Sequence, residues 1–335
     1  MDDLELARTI QSRIEEADDG DLARTLVKAP RATIVPGRTA LAAGSAALAS
    51  LRALGGSVEG RIALQRTLGE GGMGVVHLAT QATVGREVAV KTLRAGAGDL
   101  DATLRILREA WVTGALEHPN VVPIIDVGFE DGLVFLIMDY IEGDSFSNVE
   151  KVAISLRRRI PLGITLRVVL DALAGLHAAH ELCDLEGNHL KIIHRDVSPQ
   201  NIVVGVDGVS RIVDFGIAKA ESRVTTTKVG MIKGKLNFMA PEQLRSGPLD
   251  RRVDIFGLGV TLWEAITLRR LFAGESDFET ARRILAGEYP TLQEFDPKLP
   301  AGLDDICRTA LRPDAGERWQ TCAEFADAIE THLAR

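Results

Sequence analysis

The spacing of hydrophobic and polar residues changes along the chain from a strand pattern to a helix pattern. Five short segments rich in β-branched residues predict strands at 61–68, 75–80, 87–93, 121–129 and 134–138. A helical pattern at 99–116 interrupts them, and its apolar stripe consists of Leu100, Leu104, Leu107 and Trp111. Beyond Gly143 the spacing is mostly helical, with candidate helices at 162–183, 251–267, 276–286, 302–311 and 320–333. The pattern therefore predicts an α+β fold of two lobes, a small antiparallel sheet with one main helix and a larger, mostly α-helical lobe.

The first 60 residues differ in composition from the rest. An acidic start through Asp21 is followed by a stretch with Pro and Thr and then by a run of Ala, Leu, Gly and Ser. Leu6, Ile10 and Ile14 recur every four residues, which permits one short amphipathic helix. Two interpretations stay open, a partly disordered linker and a docking or regulatory segment. The rest, 61–335, is predicted to be one domain, with the sheet lobe at about 61–138, a connector at 139–143 and the helical lobe at about 144–335.

Charge and cysteine content exclude several classes of function. The net charge of -8 argues against general binding to nucleic acid or to anionic membranes, since both require clustered Lys and Arg. The three cysteines, Cys183, Cys307 and Cys322, are too few and too irregularly spaced for a disulfide framework or a zinc site. We find no export signal and no membrane anchor in the sequence, so we expect a cytoplasmic location.

A glycine-rich segment, LGEGGMGVVHLA at 68–79, lies between two predicted strands. Glycines allow a backbone to turn tightly and to approach phosphates without a Cβ clash. A dinucleotide site would need a helix directly after the glycines, but a strand is predicted there. A Walker-type loop is excluded because no Gly-Lys-Ser/Thr follows. A plain tight hairpin remains an alternative for this segment taken alone.

The next strand, EVAVKTL, places a lysine on an otherwise apolar face. Strand alternation puts Ala89, Lys91 and Leu93 on one face. The Lys91 ammonium could neutralise nucleotide phosphates if a carboxylate held it, and Glu109 on the following predicted helix is the candidate partner. A surface lysine and an exposed helix glutamate are the alternatives.

The most informative segment is IIHRDVSPQNIVVGVDGVSRIVDFG at 192–216. Two short apolar runs joined by Asp207-Gly208 predict a β-hairpin. The start of its first strand then lies beside the end of its second, which brings Asn201 and Asp214 together, and their side-chain oxygens suit magnesium. Asp196 precedes Asn201 by five residues, within reach of the same reacting phosphate.

These residues resemble the bacterial Hanks-type (eukaryotic-like) Ser/Thr protein kinases, and the resemblance covers about 60–333. The glycine loop, Val-Ala-Val-Lys, His-Arg-Asp-x4-Asn, Asp-Phe-Gly and Ala-Pro-Glu occur in the order of that family. The resemblance implies a bilobal protein-kinase-like fold, ATP with Mg²⁺ (or Mn²⁺) as cofactors, and transfer of the γ-phosphoryl group to protein hydroxyls by a non-specific serine/threonine protein kinase.

The resemblance also assigns roles to single residues. Lys91 would bind the α- and β-phosphates while paired with Glu109, Asn201 and Asp214 would hold the metal, and Asp196 would accept the proton of the substrate hydroxyl. Met138 would be the gatekeeper residue next to the adenine site. The implied nucleotide-binding residues are Leu68, Gly69, Glu70, Gly71, Gly72, Met73, Gly74, Val76, Ala89, Lys91, Glu109, Met138, Asp139, Ile141 and Asn201.

Further matches lie in the helical lobe. Glu242 of Ala-Pro-Glu should pair with Arg318, and Asp254 corresponds to the buried helix aspartate that organises the catalytic loop. Both roles maintain the fold. The segment that ends at Ala-Pro-Glu is absent from small-molecule phosphotransferases of related fold, so its presence favours a protein substrate.

Two positions depart from the family pattern. The usual lysine two residues after the catalytic aspartate is Ser198, and the usual threonine before Ala-Pro-Glu is Lys235. We hypothesise that Lys235 is catalytic and supplies the charge that Ser198 lacks. A solvated surface lysine is the alternative.

Arg195 precedes the catalytic aspartate and is a candidate partner for a phosphate on Thr225, Thr226 or Thr227. We therefore expect regulation by autophosphorylation in signal transduction, with a transient homodimer as one route. A pseudokinase scaffold is the main alternative, and a small-molecule kinase is a further one. Tyrosine specificity is disfavoured because the Ala-Ala-Arg type of catalytic loop is absent.

Overall fold

The computed structural model describes residues 33–34, 62–71, 74–82, 84–94, 110, 114–130, 133–184, 186–215 and 236–333. These residues fall into two compact units. Of the described residues, those up to Glu117, in Val122–Ile141 and in Cys183–Asn188 form the sheet unit, and those in His118–Val121, in Glu142–Leu182 and from His189 onward form the helical unit.

The sheet unit is built on a six-stranded sheet in the order β1-β5-β6-β4-β3-β2. Neighbouring strands from β2 to β6 are antiparallel, whereas β1 pairs with β5 in parallel. The strands are β1 (Thr33–Ile34), β2 (Ile62–Gly71), β3 (Gly74–Gln81), β4 (Arg86–Arg94), β5 (Ile124–Glu130) and β6 (Leu133–Asp139).

Strand alternation gives this sheet two different faces. One face carries an apolar core cluster of Ile62, Ala79, Val88, Val90, Phe135 and Ile137. The other face carries the residues that alternate with them on β4, Ala89 and Lys91. The apolar face fixes the register because a slip of one residue would bury Lys91 in the core.

The helical unit contains a three-stranded sheet and the described helices. The strands β7 (Gly143–Ser145), β8 (Ile202–Gly205) and β9 (Ser210–Ile212) lie in the order β7-β8-β9 and are antiparallel. The helices are α1 (Phe146–Ser155), α2 (Leu162–His180), α3 (Pro241–Leu244), α4 (Arg252–Thr267), α5 (Asp277–Ala286), α6 (Leu292–Phe295), α7 (Ala301–Ala310) and α8 (Cys322–Leu333).

Helices α2 and α4 form the core of this unit. Every residue of α4 from Val253 to Thr267 is buried, as expected for a helix that is apolar on all sides. Helix α2 also has the length and hydropathy of a membrane-spanning helix, with a mean hydropathy of 1.5 over an 18-residue window. However, 56% of that window is buried, and α2 packs on α4 and α8, so we interpret α2 as a core helix.

The structure confirms the predicted strands and most of the predicted helices to within a few residues. It adds α1, which begins after Ser145, whose hydroxyl accepts a hydrogen bond from the N–H of Asn148 at 3.2 Å. Strand β1 was also not predicted. Of the helix predicted at 99–116, only Ala110 and 114–116 belong to the described residues. Ala110 and Gly114 are helical.

Candidate active site

The glycine-rich segment forms the tip of the β2–β3 hairpin, in which Gly71 pairs with Gly74. A Cβ atom at Gly74 would lie 1.7 Å from the carbonyl oxygen of Thr92, whereas a Cβ at Gly69 would meet no atom within 4 Å. Gly74 is therefore required for the close approach of β3 to β4, whereas a side chain at Gly69 would have room. Leu68 and Glu70 on the same strand are exposed.

Four of the predicted nucleotide-binding residues of the sheet unit share one face. Lys91 lies between Val76 on β3 and Leu136 on β6, and Ala89 lies between Leu78 and Met138. Directly opposed residues of adjacent strands project to the same side. Val76, Ala89, Lys91 and Met138 therefore project to one side, away from the apolar core cluster, and Lys91 is only 8% exposed.

The predicted connector follows β6 directly. The N–H of Asp139 donates to the carbonyl oxygen of Pro123 at 3.1 Å, and its carboxylate forms an ion pair with Arg86. Tyr140 and Ile141 lie beyond the last strand residue, outside the sheet ladder. The N–H of Asp139 is thus already bonded within the protein, and the peptide groups free of the ladder begin at Tyr140.

In the helical unit the predicted hairpin is confirmed as β8–β9. Ile202 pairs with Ile212, and the turn contains Gly208 at φ 78°, a left-handed conformation that favours glycine. The N–H of Val213 donates to the carbonyl oxygen of Asn201 at 3.0 Å. This bond places Asn201 beside the chain that leads to Asp214, as the sequence predicted.

Asn201 is also bonded to Asp196 within the catalytic loop, the His-Arg-Asp-x4-Asn segment at 194–201. Its Nδ2 donates to the carbonyl oxygen of Asp196 at 2.7 Å, so its Oδ1 is the side-chain atom that remains for a metal. Asp214 has φ 60°, a left-handed conformation that aspartate tolerates better than most residues. The two side chains offer oxygen ligands only, which suits a hard divalent cation. Within the described residues, no group of three or more His, Cys, Asp and Glu could hold a metal, so phosphate or water oxygens would have to complete the coordination.

The His194 ring forms hydrogen bonds with the backbone of two segments of the site. The N–H of Asp196 donates to its Nδ1 at 3.2 Å, and its Nε2 lies 3.0 Å from the carbonyl oxygen of Val213. Because Nδ1 accepts, Nε2 must carry the proton and donate, which assigns the neutral tautomer. The ring also contacts Phe215 at 4.8 Å between centroids. His194 thus connects the segment of Asp196 to the segment of Asp214.

Asp254 of α4 holds the backbone of the same loop. Its carboxylate accepts from the N–H of His194 at 2.8 Å and from the N–H of Arg195 at 2.7 Å, and it contacts His180 Nε2 at 2.8 Å. Behind His180, the Sγ of Cys322 lies 3.7 Å from Nδ1. Burial raises the pKa of the Cys322 thiol, with the Asp254 charge adding to the effect, so the thiol stays neutral. The role predicted for Asp254 is confirmed.

The segment after Ala-Pro-Glu is fixed by two contacts. Arg318 donates to both carboxylate oxygens of Glu242, at 2.7 and 2.8 Å, and its side chain is fully buried. The side chain of Gln243 accepts from the N–H of Ala240 at 2.9 Å and donates to the carbonyl oxygen of Arg195 at 3.1 Å. The predicted Glu242–Arg318 pair is confirmed, and Gln243 ties this segment to the catalytic loop.

Two loop residues contain buried polar atoms without a hydrogen-bond partner. Ser198 is 3% exposed, and its Oγ has no hydrogen-bond partner. Arg195 has φ 62°, and its Nε is buried without a hydrogen-bond partner. Ser198 therefore provides no charge at the position of the usual lysine, and Arg195 has a guanidinium group that an anion would satisfy.

Several predicted residues lie outside the described residues, namely Gly72, Met73, Glu109, Thr225, Thr226, Thr227 and Lys235. Their roles stay predictions. Sequence reasoning, in turn, gave no role to His180, His194 or Gln243. His194 stands inside the His-Arg-Asp motif and could have been chosen from it, but His180 and Gln243 are identified only by their contacts.

Comparison with known proteins gives consistent matches. The protein kinase domain family model matches residues 62–329. The chain is 40% identical over 279 residues to the tyrosine-protein kinase MasK of Myxococcus xanthus, covering 82% of this chain and 43% of that protein. It is 33% identical over 279 residues to the serine/threonine-protein kinase PrkC of Bacillus subtilis, covering 83% of this chain and 41% of that protein.

A solved structure agrees with these matches. The kinase domain of Mycobacterium tuberculosis PknI superposes with a TM-score of 0.63 at 27% identity, covering 83% of this chain and 98% of that domain. The chain spans about two fifths of the length of the curated relatives that it matches. It belongs to the protein kinase family and, within that family, to the bacterial Hanks-type kinases.

Proposed function

We propose that this chain is the catalytic domain of an ATP-dependent protein kinase that phosphorylates serine and threonine hydroxyls, with Mg²⁺ as the metal. The observation that carries the proposal is the fixed group of Asp196, Asn201 and Asp214. The 2.7 Å bond from Asn201 to Asp196 and the 3.0 Å bond from Val213 to Asn201 hold the group together. A scaffold without activity would not need two oxygen ligands beside a carboxylate base.

Each side chain has a role that its position supports. The Asp196 carboxylate would receive the proton of the substrate hydroxyl as the hydroxyl oxygen bonds to the γ-phosphorus, while the bond from the γ-phosphorus to the bridging oxygen breaks and ADP leaves. Asn201 Oδ1 and the Asp214 carboxylate would hold the metal, which when bound would neutralise charge on the phosphates. In the sheet unit, the Lys91 ammonium stabilises phosphate charge, and Ala89, Val76 and Met138 offer an apolar surface to adenine.

The hydroxyl specificity is the finer part of the proposal. PrkC is named a serine/threonine kinase, while MasK, at 40% identity, is named a tyrosine kinase. Serine and threonine are favoured here because the Ala-Ala-Arg type of catalytic loop is absent. Phosphoamino-acid analysis of labelled protein distinguishes the two outcomes, and label mainly on tyrosine would overturn the assignment.

The activity is tested by transfer of label from [γ-³²P]ATP onto protein by the wild type and by Asp196→Asn. Loss of a general base costs ~100- to 10,000-fold in rate. Equal transfer by both proteins would assign the label to a contaminating kinase. No transfer by the wild type, together with unchanged nucleotide binding in Asp196→Asn, would favour the pseudokinase alternative.

Activation by autophosphorylation is a further part of the proposal. Arg195 is held in a strained conformation with an unsatisfied Nε, and a phosphate on Thr225, Thr226 or Thr227 would satisfy it. Peptide mapping after incubation with ATP tests this idea. A fully active enzyme in which all three threonines are unmodified would contradict it.

The setting of the enzyme belongs to the same proposal. We place it in the cytoplasm, with protein substrates, no nucleic acid or membrane partner, and a transient homodimer during autophosphorylation. The acidic net charge supports the exclusion of nucleic acid. Fractionation of native cells would test the location.

A further inference from the structure

Two arginine-rich segments from distant parts of the sequence meet on the helical unit and together contain five arginines. Arg157, Arg158 and Arg159 follow α1, and Arg269 and Arg270 follow α4. The guanidinium carbons of Arg159 and Arg269 lie 5.2 and 4.9 Å from the centroid of the Phe295 ring, so both loops meet at one side chain. We call these five residues the arginine cluster. It is a local excess of positive charge on a chain of net charge -8.

Two members of the cluster are neutralised and three are not. Arg159 pairs with Asp296, and Arg270 pairs with Glu264 at 2.7 Å. Arg157, Arg158 and Arg269 are exposed and form no ion pair with a carboxylate of the described residues. Arg157 also has φ 52°, which costs roughly 1–2 kcal/mol for a residue with a side chain. Arg157 and Arg158 are thus exposed in the turn after α1, and Arg269 lies over the Phe295 ring, all three without a carboxylate partner among the described residues.

Contacts within the helical unit connect the cluster to the catalytic loop. The Arg270 guanidinium carbon lies 5.7 Å from the Phe238 ring centroid. A Cβ atom at Gly257 would lie 2.9 Å from the carbonyl oxygen of Val197 and 3.5 Å from that of Phe238. Phe238 is therefore a near neighbour of the residue that follows Asp196. The path from Asp196 to Arg270 is on the order of 20 Å, the length of about six extended residues.

We infer that the arginine cluster selects protein substrates that carry acidic residues within about six positions of the phosphorylated hydroxyl. This inference rests on the proposed kinase activity and names its substrate class. Arg157, Arg158 and Arg269 bind the carboxylates, while Arg159 and Arg270 are held by their own partners. The exposed Leu156 beside the arginines, 62% accessible, offers an apolar contact to the same segment.

Matched peptides test the inference, and the chain itself supplies their sequences. A peptide with the sequence of residues 6–22 has Ser12 followed by five acidic residues, three of them within six positions of the hydroxyl, and one with the sequence of residues 15–29 has Thr25 preceded by the same five, two of them within six positions. Each is compared with a counterpart in which the five are changed to Gln or Asn. We expect kcat/KM of the full chain to be about 5- to 30-fold higher for at least one acidic peptide, the range that three exposed ion pairs supply. Raising the ionic strength should reduce the preference.

Variants then assign the preference to the cluster. In Arg157→Gln/Arg158→Gln/Arg269→Gln the ratio between acidic and amide peptides should fall to about one, mainly through KM. The control Arg308→Gln/Arg312→Gln removes two exposed arginines on and after α7, and its ratio should match that of the wild type.

The outcomes separate this inference from the proposed function. Equal rates on acidic and amide peptides, or a preference that survives in the triple variant, would overturn the inference and leave the kinase assignment intact. Absence of label on every protein and peptide, the chain itself included, would instead overturn the proposed function.

Discussion

Glu150 on α1 is predicted to make the protein less stable as the pH rises from about 4.5 to 7. Burial raises the pKa of this carboxyl to about 7, and the negative charge of Glu264 on α4 adds to the shift. Arg270 and Lys151 oppose it but do not cancel it. Its Oε1 is buried and has no hydrogen-bond partner. The folded protein therefore holds a proton here that the unfolded chain releases near pH 4.5.

The size of the effect follows from proton linkage. Between pH 4.5 and 7 the folded state binds more protons than the unfolded state, so the free energy of unfolding falls as the pH rises and levels off above 7. Relative to a carboxyl with the same pKa in both states, Glu150 lowers the free energy of unfolding by about 0.8 kcal/mol at pH 5 and about 3 kcal/mol at pH 8. Glu150→Gln removes the charge and keeps the shape. The variant should therefore exceed the wild type in stability by about 2 kcal/mol more at pH 8 than at pH 5.

Urea unfolding of both proteins at pH 5, 6, 7 and 8 measures this difference. With a slope of ~3 kcal/mol/M, the midpoint of the variant should shift by roughly 0.7 M relative to the wild type between pH 5 and 8. Glu330→Gln, an exposed change on α8, is the control and should show no pH-dependent shift. A Glu150→Gln variant whose advantage is the same at all four pH values would refute the reasoning.

Three further predictions concern the glycine-rich hairpin, the Glu242–Arg318 ion pair and Lys235. Gly74→Ala should raise the KM for ATP and lower the free energy of unfolding by about 1–3 kcal/mol, because its Cβ would overlap a carbonyl of β4. The control Gly69→Ala has open space and should not lower stability. Equal melting temperatures for the two variants would contradict this prediction. Arg318→Met should cost ~3–5 kcal/mol in thermal unfolding, because it removes a fully buried guanidinium that binds both oxygens of the half-buried Glu242 and three backbone carbonyls, and a loss below ~1 kcal/mol would contradict the structural role. Lys235→Met should lower kcat on a protein substrate by ~10- to 1,000-fold. A kcat within about twofold of the wild type would refute the hypothesis that Lys235 supplies the charge that Ser198 lacks.

The sequence predicts those parts of the fold that local signals specify. The β8–β9 hairpin follows from Asp207-Gly208, and the two faces of β4 follow from strict alternation. Because these signals lie within ten residues of each other, no tertiary information is needed. Helix α1 was not predicted, since Glu150 and Lys151 interrupt its apolar spacing and its burial depends on contacts with β7 and β8.

The contacts that hold the site together were predictable only in part. Asp254 and Arg318 were identified through a family resemblance, since nothing in their local spacing points to the catalytic loop. His180 and Gln243 have no local signal at all. The arginine cluster joins residues more than a hundred positions apart through Phe295, so no pattern along the chain could have shown it.

These contacts also explain how the catalytic loop can lack its usual lysine. The loop is shaped by the bonds of Asp254 to two backbone N–H groups and by the bond of Asn201 to the carbonyl oxygen of Asp196. Ser198 takes no part in them, because its hydroxyl is buried without a partner. The geometry of the base and of the metal ligands is thus independent of the side chain at this position. Relative to the family pattern, Ser198 removes one positive charge expected at the reacting phosphate, so the cation that Lys235 is hypothesised to supply would serve the chemistry and not the fold.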